Sequence, residues 1–461
     1  MTSMLSSLTF SIPLTVAPLP RTTSTLRPNV TELAGGPAHQ RALHCLAVAE
    51  QTELALPILC ERVARIATRE SVKDCLRWFS ARKDWITQKQ LELCRIPAPT
   101  FHEHARAQWL AGQLRSLGWN VVVDNAGNVL ARSVAPKRRP RLALTAHLDT
   151  VLAPARSEDI FMDEDHRLHG PGVADNGAGL AALLAIAAAL SESGQLGRVG
   201  DLLLVANVGE EGEGNLNGMR FLCTSPVADD IEMFVVLDGP GHEQIVTQGV
   251  ASRRLEIVFE GPGGHSWSDA GLPNPIHALG HLIARFCQMC EGEHPGTGRR
   301  TFNFALIEGG AGVNAIPASA RARVDLRAEH LADLDWMAER LRATVREVSY
   351  RYRGRRNGSL LRARVRELGF RPPGRLAEES TLLACLLAVD RQLGIRSRLE
   401  AASTDANIPL AMGRQAVSIG GGGSGARAHT VEEWYDPAGR ELALARILLL
   451  ILALIEQINE V

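Results

Sequence analysis

Neither sign of charge is in excess in this chain. Fifty lysines and arginines stand against 51 acidic residues, a formal net charge of −1 over 461 residues. So even a balance gives no electrostatic footprint for nucleic acid or an acidic lipid surface, and neither is expected as a partner. Cysteine is sparse. Its eight copies, at 45, 60, 75, 94, 223, 287, 290 and 385, are too scattered for a disulfide framework. The single close pair, Cys287-Gln-Met-Cys290, ends an apolar-periodic helix pattern and reads as packing. A reducing, cytoplasmic compartment follows. Long apolar runs are missing as well. Near the C-terminus the uncharged run ILLLILALI at 447–455 is bounded by Arg446 and Glu456. A membrane span needs about 20 residues, so this run reads as a buried C-terminal helix. The first forty residues are poor in charge and rich in Ser, Thr and Pro, without the basic leader of a secretory signal. They read as a disordered extension or a start placed too early.

What is present is length enough for two cores and an alternation of element types. Residues 41–95 have helix-forming composition, and 103–119 form an amphipathic pattern ending at Gly118. Residues 120–133 read as a hairpin turning at Asn125-Ala-Gly127. Strand patterns at 141–149, 201–209 and 231–239 alternate with a helix at 177–194. Strands this uniformly apolar predict an α/β fold: a mixed, mostly parallel sheet covered by helices. After Gly249 the pattern changes to half-apolar strands at 253–261, 301–310 and 320–328, with helices at 276–290 and 331–348. That order predicts a smaller α+β domain inserted at about 248–365. The catalytic domain is then 81–247 plus 366–461, behind an extension at 1–80, partly disordered and then helical. The basic stretch 351–366 reads as a linker or solvated edge; with no aromatic platform beyond Tyr352 it is not a nucleic-acid patch.

Chemistry-bearing residues gather at the C-terminal ends of the apolar strands, the edge where open α/β sheets bind ligands. His147 and Asp149 are two apart, placed so that the carboxylate can take the second ring N–H of a metal-bound imidazole. Asp175 stands before a helix among glycines, where N-capping is the simpler alternative to a ligand role. Glu210 and Glu211 follow a core strand, an unfavourable pairing unless a cation offsets their repulsion. Asp238 ends the next strand, and His429 follows four consecutive glycines, Gly420 to Gly423, an unusually flexible run and no phosphate loop. Two divalent ions would balance three carboxylates and a hydroxide. Histidine plus carboxylate without thiolate suits zinc, with manganese or cobalt as substitutes.

In order along the chain stand HLDT, GPGVADNGAG, VGEEGEGNLNG, LDG, GGHS, GGAGVNAIP, VDLR and AHTVEE. Over roughly residues 85–460 the sequence resembles the co-catalytic di-zinc metallopeptidases, the family of aminoacylase, tripeptide aminopeptidase (peptidase T), carnosine dipeptidase and succinyl-diaminopimelate desuccinylase. By that resemblance Asp175 bridges two zincs, His147 and Asp238 bind one, and Glu211 and His429 the other. Glu210 is the general base and Asp149 orients His147. The resemblance makes the insert a lid and homodimerisation domain, with His265 on the oxyanion and Asn314 and Arg327 on the substrate, Arg327 as a carboxylate clamp. Asp405 in STDANIP matches a loop near the site. Position 177 departs from the pattern: it is glycine where many relatives carry lysine or arginine. The implied activity is cleavage of a peptide bond in short peptides, with hydrolysis of N-acyl amino acids as the alternative and a non-catalytic binding relative as a third reading.

Overall fold

Four strands carry the apolar runs: Leu142–His147, Leu202–Asn207, Met233–Leu237 and Gln415–Ile419. Every residue of the first three is buried. Successive side chains of a strand point to opposite faces, so both faces of this part of the sheet are covered. The computed structural model describes residues 56–133, 140–291, 298–354 and 358–460. Within it these four strands are parallel neighbours in the order 202–207, 142–147, 233–237, 415–419. The flanks are mixed. The hairpin of Asn120–Val123 and Val129–Arg132 adds antiparallel at one side. Gln244–Gly249 adds antiparallel at the other and takes Arg398–Ala402 in parallel. The sheet is mixed, as expected, with its parallel pairs at the centre, where crossover helices connect the strands.

Helix Gly177–Glu192 is buried almost throughout, and Arg440–Glu460 packs on it and on Thr381–Leu393. Residues 447–455 lie inside that last helix, mostly buried as expected. The helical stretch anticipated at 41–95 is seen from residue 56 onward as three helices, 56–67, Glu70–Ala81 and Lys83–Cys94; its first part and the rest of the extension lie outside the described residues. No helix among the described residues is long and apolar enough to cross a membrane.

A second, four-stranded antiparallel sheet runs in the order Arg300–Gly309, Ser319–Ala328, Ala251–Glu260, Arg362–Arg371. Its alternating residues, among them Leu255, Ile257, Phe259, Ala322 and Val324, pack against helices Pro275–Glu291 and Leu331–Arg351. The basic stretch 351–366, expected as a linker or a solvated edge, is in its second half a solvated edge. That half begins a ten-residue edge strand, at whose start Arg362, Arg364 and Arg366 alternate with Ala363 and Val365, which turn towards the core. A period of two was hidden in what looked like a charge run. The strand continues to Arg371, six residues past the expected end of the insert.

Candidate metal and catalytic site

His147 is the last residue of a buried strand, and its ring is buried with it. Nδ1 lies 3.0 Å from the backbone oxygen of Asp149 and 3.5 Å from that residue's carboxylate. Nε2 faces Asp175 at 3.2 Å and Asp238 at 3.7 Å. Burial works against a charged imidazole, but Asp149, Asp175 and Asp238 outweigh it and hold His147 well above its ordinary value. The Asp149 carboxylate accepts from the amides of Glu210 (3.0 Å) and Glu211 (2.9 Å) and from the Thr100 hydroxyl (3.0 Å). The carboxylate thus fixes the turn that carries the two glutamates, while the nearer partner of the His147 ring is the Asp149 backbone oxygen rather than the carboxylate expected there. Burial opposes its charge, yet His147 and those amides keep its carboxyl below the usual range.

Asp175 stands one residue before the cap of helix Gly177–Glu192. The capping role belongs to Asn176, whose Oδ1 accepts from Gly179 at 3.1 Å. The same Oδ1 accepts from Gly239, and its Nδ2 donates to Leu237, so Asn176 ties this loop to the strand ending at Asp238. Glu433, which the sequence reading assigned no role, holds the loop from outside. Its buried carboxylate accepts from the amides of Gly172 (2.8 Å), Ala174 (2.7 Å) and Asp175 (2.8 Å). Freed from capping, Asp175 turns its carboxylate to His147 on one side and to His429 Nε2, 3.1 Å away, on the other. Glu211 meets the same His429 nitrogen at 2.9 Å. Those two carboxylates push His429 up to about 10.

The donors form three groups whose ligand atoms lie within 4.8 Å of one another: His147, Asp175 and Asp238; Asp175, Glu211 and His429; and His147, Glu210 and Glu211. The first two share Asp175. Asp175 Oδ1 is a buried oxygen with no donor in hydrogen-bonding geometry. Hard oxygen donors with neutral-capable imidazoles and no thiolate fit divalent ions such as zinc.

Glu210 is buried, and burial pushes its carboxyl well above the usual range. The opposing influence is Arg371, whose Nη1 reaches Oε1 at 2.8 Å while Nη2 donates to the Glu210 carbonyl. Nothing in the sequence marked Arg371. It ends a strand of the other sheet, and only tertiary folding brings it here. Asp405 is buried nearby, accepts from Asn207 at 2.6 Å, and is pushed up to about 7 by burial. It belongs to none of the donor groups.

The three candidates on the insert stand apart from those groups. His265 is exposed on a two-residue strand paired with Ala315–Ile316, and its Nδ1 accepts from the amides of Trp267 and Ser268. Nε2 then carries the proton. Asn314 is its neighbour, accepting through its carbonyl from Ser266. Arg327 bonds Asp325 at 2.7 Å and lines a cleft of about 330 Å³ with Arg299, Arg300 and Ser403. Ser403 in turn touches Arg371.

The glycine run 420–423 is not flexible but wedged. A Cβ on Gly420 would lie 2.3 Å from the Pro240 oxygen, and one on Gly421 2.6 Å from that of Ala178. Gly422 and Gly423 take φ of 96° and 69°, and the run passes between the loops that bear Asp238 and Asp175.

Residues 143–456 match the model of peptidase family M20/M25/M40. The chain belongs to that family. A probable carboxypeptidase of Aspergillus terreus is 27% identical over 263 residues, 51% of this chain and 58% of the relative. The cytosol non-specific dipeptidase of Escherichia coli is 33% identical over 113 residues, 21% of this chain and 23% of its own. The chain spans about half the length of most curated relatives it matches. Among solved structures, a Staphylococcus aureus tripeptidase superposes with a TM-score of 0.64 at 18% identity, over 81% of this chain and 99% of that one. Human carnosine dipeptidase 1 gives 0.61 at 13%, over 84% and 100%. These likenesses establish the M20 fold, a mixed sheet carrying a second domain. The departure at position 177 has a local cause: a Cβ there would meet Cys94 Sγ and the Gly172 oxygen, each at 2.6 Å.

Proposed function

We propose that this M20 family chain is a metal-dependent amide hydrolase that cleaves a peptide bond in short peptides, as a dipeptidase or tripeptidase. The observation that carries the reading is the pair of donor triplets sharing Asp175. In that reading His147, Asp238 and Asp175 would hold one divalent ion, and Glu211, His429 and Asp175 the other. Zinc is the expected metal, with manganese or cobalt as substitutes. Bound ions would supply Lewis acidity and bring the pKa of water near 7. Glu210 takes the proton of the attacking water on its carboxylate and gives it to the leaving amine. Asp149 keeps His147 oriented and the Glu210–Glu211 turn in register. From the insert, His265 would donate to the oxyanion, Asn314 would bind substrate, and Arg327 would pair with a substrate carboxylate. Hydrolysis of N-acyl amino acids is the second reading, since the same donors and base serve it and the arginine-lined cleft suits any free carboxylate.

A homodimer through the insert is part of the proposal, supported by the edge strand Arg300–Gly309 with Leu306 and Ile307 exposed. A cytoplasmic setting is supported by seven described cysteines, all free. The test is metal content by mass spectrometry beside a panel of dipeptides, tripeptides and N-acyl amino acids. Two divalent ions per chain and chelator-sensitive cleavage are expected. A metal-free protein that stays metal-free when supplied with zinc would end the proposal.

A further inference from the structure

Three strands of the insert's sheet each send an arginine to one short loop of the catalytic domain. Arg254 Nη1 donates to the Gly212 oxygen, Arg323 Nη1 to the Glu213 carboxylate, and Arg371 to both the carboxylate and the carbonyl of Glu210. That loop, residues 210–213, holds the base and the ligand next to it. Arg254 and Arg323 make contacts that leave the reacting residue free. Arg371 is different: it is itself buried, with 4% of its surface exposed, and its planar fork spans the side chain and the main chain of one residue. A fork engaged at two points fixes rotation as well as distance, which a point charge cannot do. Ser403 braces the same guanidinium through its hydroxyl at 3.3 Å.

We propose that Arg371 is a positioning residue for the general base, carried on the last strand of the lid, so that the seating of the lid sets where the Glu210 carboxylate points. The inference rests on the reading of Glu210 as base. Arg371 bonds Glu210 and Ser403, and it acts on the reaction through Glu210. A lid displaced from the loop would withdraw the fork and leave Glu210 free to turn away from the attacking water.

The experiment compares Arg371→Lys, Arg371→Ala and Glu210→Gln in the full-length protein. Metal content, hydrogen–deuterium exchange of the segment 208–216, and kcat and KM on the best substrate of the panel are measured for each. Lysine keeps the charge and loses the fork. Arg371→Lys should retain two ions per chain and KM within about twofold, while kcat falls about 100-fold, the scale of a misplacement near 1 Å. Arg371→Ala should show faster exchange in 208–216 and recover part of its kcat in millimolar guanidinium; Glu210→Gln should not recover. Unchanged exchange in 208–216 for both Arg371 variants would overturn the proposal with or without a substrate. So would loss of metal from both, which would make Arg371 a structural residue. Full turnover by Glu210→Gln would instead remove Glu210 as base, while the exchange measurement still decides whether Arg371 holds the loop.

Discussion

Replacing Glu433 by glutamine changes one atom and leaves shape intact, so its effect can be worked from the hydrogen bonds. Three backbone amides converge on this carboxylate: Ala174 and Asp175 on Oε1, Gly172 on Oε2. An amide has one oxygen. If it faces Ala174 and Asp175, its NH₂ group confronts the Gly172 N–H donor to donor, where 2.8 Å now separates donor from acceptor. Turned the other way, it leaves two donors facing an NH₂. An unpaired buried donor costs about 1–3 kcal/mol, and a hydrogen bond to a charged group is worth about 1 kcal/mol more than to a neutral one. The favoured orientation loses one bond and weakens two, and therefore costs roughly 3–5 kcal/mol, all of it in the loop that aims Asp175. Partners outside the ligand set typically control metal affinity by about 10–100-fold. Glu433→Gln should unfold at a lower denaturant midpoint when metal-free and should release zinc to a chromophoric chelator at about 10–100-fold lower chelator concentration. Wild-type unfolding together with wild-type zinc retention would refute the idea that Glu433 supports the bridging ligand.

Glu210→Ala should abolish turnover yet leave two ions per chain by mass spectrometry; an active variant would sink the assignment of the base. In the metal-free protein His429 is raised from 6.5 to about 10 by Asp175 and Glu211. The stability it contributes is fully present below about 6.5 and lost as pH rises through about 10, so metal-free unfolding midpoints should fall across that window. His429→Ala should flatten the fall, and an unchanged slope would show that the trio does not act together. Zinc uptake below that window should release protons, read as pH change in weak buffer. Gly420→Ala would force a methyl to 2.3 Å from the Pro240 oxygen. The loops carrying Asp238 and Asp175 should shift, with a loss of about 1–3 kcal/mol in denaturant unfolding; a wild-type midpoint would mean the wedge yields freely.

The residues gathered at the sheet edge were legible because each marks the end of a mostly apolar run: His147 closes one strand that is buried throughout, and Glu210–Glu211 and Asp238 follow two others. Motif order then related them to His429, 254 residues from Asp175 in sequence yet 3.1 Å away. What escaped were residues whose role exists only across long separations. Arg371 lies 161 residues from Glu210, in a segment whose arginines disguised a strand. Glu433 serves three amides that no sequence pattern points to. The glycine run was misjudged for a related reason: glycine permits flexibility and close approach alike, and only the neighbours show which is used. The capping role at the Asp175 loop fell to the next residue, Asn176, because a carboxylate spent on a helix end cannot also face two histidines.

The points where the chain leaves and rejoins the main sheet have a topological consequence. Gly249 and Gly374 are paired in that sheet, and Ser252 and Arg371 are paired in the smaller one. The insert is thus stitched in at a single antiparallel pairing, with its two ends side by side on both sides of the seam. Joining distant ends of a flexible chain costs entropy that grows with the logarithm of the intervening length. A smaller domain that folds first already holds its ends together, so the larger sheet closes across the seam as though across a hairpin. Swapping the insert for one of another size, grafted at residues 250 and 372–373, should leave that closure unaffected.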